Sequence, residues 1–460
     1  MKKALFFILI LLVLIPAIWV VVYKFEGAEP EVDIKLPSLY LKKTYEMTVK
    51  VTDAKTGLRN VSVSIVQQDK EEVLLEKTYE TSGFMGLFSG AGAQTDSFII
   101  PVESWKYGMA DGEAVIRVEV SDLSWRGWNK GNLFFAEKKV VIDTKPPKVT
   151  VLSKRHNIER GGSGLVIYQI YEENIQSGVR VDDNYFPGHS GMFENKEIHV
   201  AFFALDHTQG PGSRMNVVAE DPAGNITTRG FHHYIRDKKF KTDVMNISDG
   251  FLDEKIPGFD VGAKEGSFSG EKETLLDKYL FINREIRKAN VDKVLSVPAD
   301  TDQKKHWEGR FLRLKGSQRR AGFADHRIYK FKGGEIDRST HLGIDLASTA
   351  HAEVPAANTG RVTFTGDVGI FGKTVIIDHG FGLASLYSHL NDITVGEQDM
   401  VNIGEKIGYT GETGLAGGDH LHFSMIVHNV FVNPVEWWDP AWIKNNITSK
   451  IDSVKQIKEN

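Results

Sequence analysis

The chain has 460 residues, enough for roughly three domains, with no cysteine and a formal net charge of −5. The missing cysteines exclude a disulfide-stapled secreted scaffold and any thiolate metal site, so any metal bound here has to be held by His and carboxylates. With a pI near 6.3 there is no overall basic field, which excludes a dedicated nucleic-acid binder.

At the N-terminus, Lys2 and Lys3 precede an apolar run of twenty residues, Ala4 to Tyr23, long enough to cross a hydrocarbon core as a helix. The run exceeds the usual apolar core of a signal peptide, and Lys24-Phe-Glu-Gly-Ala-Glu29 offers no small-residue cleavage site. An uncleaved anchor over residues 1–24 is therefore the expectation. The two lysines favour an inside amino terminus. That makes the chain a single-pass protein of a bacterial inner membrane, with everything after residue 24 exported to the periplasm.

From 31 to 143, runs such as Tyr45-Glu-Met-Thr-Val-Lys-Val51 and Ala114-Val-Ile-Arg-Val-Glu-Val120 alternate apolar and polar residues, the pattern of half-buried strands. Pro146-Pro147 cannot sit in a central strand and marks a boundary. A second β unit follows over 146–236, in which Val217-Val-Ala-Glu-Asp-Pro-Ala-Gly-Asn225 resembles the closing hairpin of immunoglobulin-like domains. Two Ig-like β-sandwiches are expected, as spacers or as contacts for a regulatory protein. Their histidines, His189, His199, His207, His232 and His233, are too scattered for a metal site.

A connector, 237–305, is rich in Lys, Asp and Gly up to 268. Beyond that, Leu275, Tyr279, Ile282 and Ile286 repeat at helical spacing and predict an amphipathic helix of about twenty residues. Its stripe is expected to pack as core, with docking on a catalytic groove as the alternative. Arg310, Arg313, Lys315, Arg319, Arg320, Arg327, Lys330 and Lys332 follow among aromatic residues and read as solvated strand edges.

The last region, 306–445, consists from Gly343 on of short strands separated by glycines, with no intervening helix expected. It reads as a compact antiparallel β domain. The chain as a whole is thus expected to be mainly β. His341-Leu-Gly-Ile-Asp345 and His420-Leu-His422 stand out. On strands, His341 shares a face with Asp345, and His420 with His422 and Ser424. Three ligands from such a set would complete a catalytic zinc site that keeps a fourth position for water.

His341-x-x-x-Asp345, Tyr387-Ser-His389-Leu, Gly404-x-x-Ile-Gly-x-x-Gly-x-Thr-Gly414, His420-Leu-His-Phe423 and Asn433-Pro434 occur in an order that resembles the lysostaphin/LytM-type zinc metallopeptidases, over about residues 322 to 440. The resemblance implies a zinc endopeptidase cutting amide bonds in peptidoglycan stem or cross-link peptides. His341, Asp345 and His422 would be the Zn2+ ligands and His389 and His420 a pair beside the bound water, either of them the base. Substrate-binding residues are not implied. A rival reading is a catalytically silent wall-binding module that activates another hydrolase, against which the five intact residues argue. His351 and His379 read as structural and His306 and His428 as surface residues. Where relatives carry Phe-Gly-x-Arg, this chain has Phe323-Ala-Asp-His-Arg327. His326 or Asp325 is therefore a candidate to approach the metal and hold the enzyme inactive.

Overall fold

In a computed structural model of the chain, residues 2–80, 93–262 and 275–459 are described. Residues 263–274 of the expected connector lie outside them. The chain divides into two compact units: Met1–Pro146 with Glu220–Ile226, and Pro147–Ala219 with Thr227–Asn460.

The first unit begins with helix α1, Lys2–Lys24. Its stretch Phe6–Lys24, with a mean hydropathy of 3.0, is long and apolar enough to cross a membrane. Beyond it two sheets share one core. A three-stranded sheet pairs Glu31–Lys35, Tyr45–Thr52 and Thr95–Val102; a five-stranded one runs through Tyr40–Leu41, Leu133–Ile142, Gly112–Asp122, Leu58–Gln67 and Lys70–Thr78. The alternation read from the sequence is what fills that core: Met47, Val49 and Val51 from one sheet meet Val61, Val63, Ile116 and Val118 from the other.

The second unit opens with a β module. Sheets of three strands (Ile198–Ala204, Ser163–Ile170, Val149–Val151) and four strands (Asn184–Pro187, Gln176–Val181, Met215–Glu220, Ile226–Gly230) accompany a parallel pair, His156–Glu159 with His233–Arg236. The stretch from 237 is more than a connector. Strand β1, Thr242–Ile247, pairs in parallel with β2, Asp325–Phe331, which forms a hairpin with β3, Gly334–His341. The amphipathic segment is a continuous helical stretch, α2 (Leu275–Phe281), a π turn (Ile282–Ile286) and α3 (Arg287–Ser296). It buries Tyr279, Ile282 and Val294. Asn283 and Arg284 bond Asp337 on β3, and Asn290 Oδ1 accepts the Ile370 N–H, so the helix is pinned to both the hairpin and the turn at 369–371.

The C-terminal sheet has ten strands. At its centre lie β4 (Ile344–Ala347), β5 (Lys373–Asp378), β6 (Leu383–Ile393) and β7 (Leu421–Val427), in the spatial order β4-β7-β6-β5. Strand β7 is buried along its whole length, as expected of a strand covered on both faces. Contrary to the expectation of strands alone, Pro434–Trp438 and Pro440–Ile443 are short helices. Asn433 and Asp439 cap them through their side chains, and each has Pro at its first position. A further helix, α4, covers Ser449–Glu459. These C-terminal helices lie against the β module: Glu436 accepts both the N–H and the hydroxyl of Ser163, and Lys450 donates to the Leu165 carbonyl.

Candidate metal centre and active site

Strand register assembles the site. Asp345 on β4 stands opposite His422 on β7, and His422 stands opposite Ser388 on β6. Because side chains alternate, Ser388 turns inward, its hydroxyl 3.0 Å from that of Thr374. His389, the next residue, adopts φ +62°. A non-glycine residue pays about 1–2 kcal/mol for that left-handed conformation; here the imidazole lines the cleft. Gly343, at the turn from β3 to β4, has no room for a side chain: a Cβ would lie 2.5 Å from both His422 Nε2 and Ser424 Oγ.

The hydrogen bonds fix which nitrogen of each ring carries the proton. His341 Nδ1 donates to the Gly322 carbonyl at 2.8 Å, leaving the lone pair on Nε2. Ser424 Oγ donates to the Leu342 carbonyl at 2.8 Å, so it accepts from His422 Nε2, 3.1 Å away, and Nδ1 of that ring holds the lone pair. Those two bare nitrogens lie 3.0 Å apart, and each is 2.9 Å from Asp345 Oδ1. The other carboxylate oxygen, Oδ2, accepts from Arg327 Nη2 at 2.8 Å. His389 donates Nδ1–H to the Thr413 carbonyl and His420 donates its own to the Gly418 carbonyl, so in their neutral forms both present Nε2. Their rings are 4.8 Å apart, and His420 Nε2 is 3.6 Å from Asp345 Oδ1.

Three lone pairs aimed at one another from buried groups require a positive charge between them. His, His and carboxylate form a common zinc donor set, and ligands 2.0–2.1 Å from a tetrahedral zinc stand about 3.3 Å from each other. The observed 2.9–3.0 Å is within a few tenths of that. The residues fit the metal.

Electrostatics follow burial and neighbours. Burial alone would raise the Asp345 carboxyl, but His341, His420 and His422 around it hold it well below the usual carboxylate range. Burial, together with His420 and His422, pushes His389 well down, and burial lowers His422 to about 4. His420 goes the other way: Asp345 outweighs the burial of the ring and raises it.

All five residues singled out in the sequence come together in one cleft of about 640 Å³, lined also by Phe371, the 415–419 turn and, from the connector, Ile247, Phe251, Tyr279 and Val291. The connector therefore packs as core and forms a groove wall at once. Neither His326 nor Asp325 reaches the cluster. His326 is exposed with its ring near Phe240, and Asp325 accepts the Gly322 N–H. The residue that does reach it is Arg327, which the sequence reads as one more cation on a solvated edge. Most of that basic run is exposed as expected, but the Arg327 side chain is only 15% accessible. Its position opposite Ser339 in the β2/β3 register, two residues from His341, is the signal that sequence spacing alone does not show.

Two further expectations fail. His428 is buried, not on the surface: it has φ +52°, its ring stacks on His189 at 5.7 Å, and burial lowers it to about 3. His306 is half-buried, its Nε2 2.8 Å from Asp302. His379 is fully buried and structural, bonded to the Thr359 carbonyl and to Ser385; His351 is exposed.

Residues 339–434 match Peptidase family M23, so the chain carries a peptidase domain of that family at its C-terminus. Over 95 residues it is 40% identical to the DD-carboxypeptidase/endopeptidase Mpg of Neisseria meningitidis serogroup B, covering 21% of this chain and 22% of Mpg. Over 96 residues it is 34% identical to the peptidoglycan DD-endopeptidase ShyA of Vibrio cholerae, covering 21% and 22%. The matched segment thus spans about a fifth of the length of these relatives. Among solved structures, a peptidase M23 from Pseudomonas aeruginosa aligns with a TM-score of 0.39 and 18% identity over 60% of this chain and 92% of that one.

Proposed function

We propose that the chain is a membrane-anchored zinc endopeptidase that hydrolyses amide bonds in peptidoglycan stem or cross-link peptides outside the cytoplasm. What carries the proposal is the convergence of the bare atoms His341 Nε2, His422 Nδ1 and Asp345 Oδ1 within 3.0 Å of one another, with His389 and His420 beside them. His341, Asp345 and His422 would hold the zinc. A bound zinc ion supplies a Lewis acid for the scissile carbonyl and brings a water's pKa close to neutrality.

The protein's own part is to hold and move protons. The carbonyls of Thr413 and Gly418 keep Nδ1 of His389 and His420 protonated, so Nε2 of one ring takes the proton of the attacking water and Nε2 of either delivers one to the leaving amine. Arg327, holding Asp345 Oδ2, keeps Oδ1 turned to the two histidines. Phe371, whose ring lies 5.7 Å from that of His422, and Val291 narrow the cleft around an extended peptide.

The names of Mpg and ShyA support the substrate class, and the apolar helix supports the location. With Lys2 and Lys3 inside, α1 would tether the enzyme to the inner membrane and the β units would space the groove from it.

The test is zinc content and release of cross-linked muropeptides by the full chain in detergent. Stoichiometric zinc with hydrolysis is expected, both lost in His422→Ala. Activity retained in that variant would sink the zinc assignment, and a chain that holds no stoichiometric zinc and does not hydrolyse would turn the reading toward a module that activates another hydrolase.

A further inference from the structure

The first unit holds a second cluster of buried acids that the peptidase chemistry does not use. One carboxylate oxygen from each of Glu26, Asp53 and Asp122 lies within 4.8 Å of the others. Asp53 is 1% exposed, Asp122 not at all, and the Glu26 side chain is fully covered. Buried like charges of this kind repel unless a cation answers them. Two cations answer them in part: Lys55 Nζ lies 3.9 Å from Glu26 Oε2 with more than half of its side chain in solvent, and the Arg59 guanidinium is attracted by Asp122, which leaves two cations against three carboxylates.

The oxygens are held in place from behind. Asp53 Oδ2 accepts the N–H groups of Lys55 (3.1 Å) and Gly57 (2.6 Å). Asp122 Oδ1 accepts those of Ser124 (2.9 Å) and Asn132 (2.7 Å), and its Oδ2 takes the Asn132 side-chain amide at 2.7 Å. Glu26 Oε2 accepts the Ala28 N–H at 2.9 Å, and its Oε1 the Thr56 hydroxyl at 3.3 Å. Asp53 Oδ1 is left buried with no hydrogen-bond partner among the described residues. An orphaned carboxylate oxygen beside two further carboxylates is a ligand position without its ligand.

We propose that Glu26, Asp53 and Asp122 form a binding site for a hard divalent cation, calcium in the first instance. The donor set is oxygen alone, which disfavours zinc. Three carboxylates set at or just past the ends of regular elements suit calcium's flexible coordination, and magnesium would demand a near-ideal octahedron.

Bound calcium would link the segment leaving α1 to the turns at 53–57 and 122–132. Ser124 Oγ and the Asn132 side chain already bond the Glu26 carbonyl at 3.1 and 3.2 Å, and Trp125 N–H bonds the Lys24 carbonyl at 2.7 Å. The proposal rests on the reading that the apolar helix is retained, since cleavage after it would remove Glu26.

The test uses the full chain extracted in detergent and kept saturated with zinc. Its intact mass shows whether residue 26 is present. Radiolabelled calcium binding and the thermal midpoint of the first unit are then measured against calcium concentration. Expected are one calcium per chain in the roughly 10⁻⁴–10⁻³ M range of extracellular modules, a midpoint that rises by several degrees, and loss of both in Asp53→Asn. Glu26→Gln gives the same reading should Asp53→Asn fail to fold by circular dichroism, and His422→Ala, whose defect lies in the peptidase site, keeps calcium binding. A mature chain that begins after Glu26, no calcium bound at millimolar concentration, or binding that survives in the folded carboxylate variants overturns the proposal. Stability that tracks pH and ignores calcium also overturns it, since a proton shared by Glu26 and Asp122 would then fill the cluster.

Discussion

In the groove, His341, Asp345 and His422 turn bare atoms toward one another at 2.9–3.0 Å. In the seam between the β module and the C-terminal helices, by contrast, each buried ionisable group is met by the main chain. Glu436 takes two hydrogen bonds from Ser163, and Lys450 gives one to Leu165. Both regions bury charge, but only the groove leaves its lone pairs without donors. Burial raises Glu436 to about 8 and lowers Lys450 to about 7, so near neutrality the seam suppresses its charges. Around Asp345 the neighbouring histidines outweigh burial and keep the carboxylate charged. A buried polar group signals function when its environment preserves its charge and withholds its partner.

The largest effect should come from removing a converging atom. Asp345→Asn replaces a carboxylate oxygen facing two lone pairs, and muropeptide release should fall to background along with zinc content, with the fold intact by circular dichroism. Normal zinc and activity would erase the distinction between the regions.

Arg327→Ala comes next. Removing a group that orients a metal ligand typically lowers metal affinity or activity about 10–100-fold. Competition with a zinc chelator should show it, and Arg327→Lys should restore only part, because a lysine lacks the guanidinium's fixed fork.

In the seam the effect is on stability. Folded Glu436 titrates near 8 against 4.5 when unfolded, so between those pH values the native state binds the extra proton. The contribution of Glu436 to the stability of the larger unit should therefore fall as pH rises through this window, by on the order of a few kcal/mol, against the opposite trend of buried histidines such as His422 and His428. Glu436→Gln should flatten that slope in urea unfolding followed from pH 5 to 8, with hydrolysis little changed. An unaltered slope would mean that the carboxyl is not what titrates.

Smallest of all is His326→Ala. The ring is exposed and reaches Phe240, not the metal cluster, so stability should move by no more than about 0.5 kcal/mol and activity should not rise. Increased activity would revive the idea that this histidine restrains the site.

Much of the groove was readable in the sequence because strand alternation is local. Spacings of four (His341 to Asp345) and two (His420 to His422) put those pairs on one face wherever the strands ended up. What could not be read depends on register between distant segments. Arg327 lies fourteen residues ahead of His341, and only the β2/β3 pairing brings it to Asp345. Strand β1 hides within Thr242-Asp-Val-Met-Asn-Ile247 because its partner begins more than eighty residues later. His428 sits in a polar-looking turn, and what buries it is the module carrying His189 and Phe186. The short helices after Asn433 and Asp439 carried their signal openly, a capping residue followed by proline, but it was outweighed by the strand-rich text before them.

The parallel pairing of β1 with β2 also bears on how the peptidase can be isolated. Strand β2 carries Arg327 and is the central strand of a three-stranded sheet, with β1 on one side and β3 on the other. A fragment starting at residue 300 would keep the metal cluster yet strip β1 away, opening a row of unpaired amides and carbonyls that invites strand addition from another molecule. Such a fragment is expected to self-associate, and one that starts ahead of Thr242 to stay dispersed.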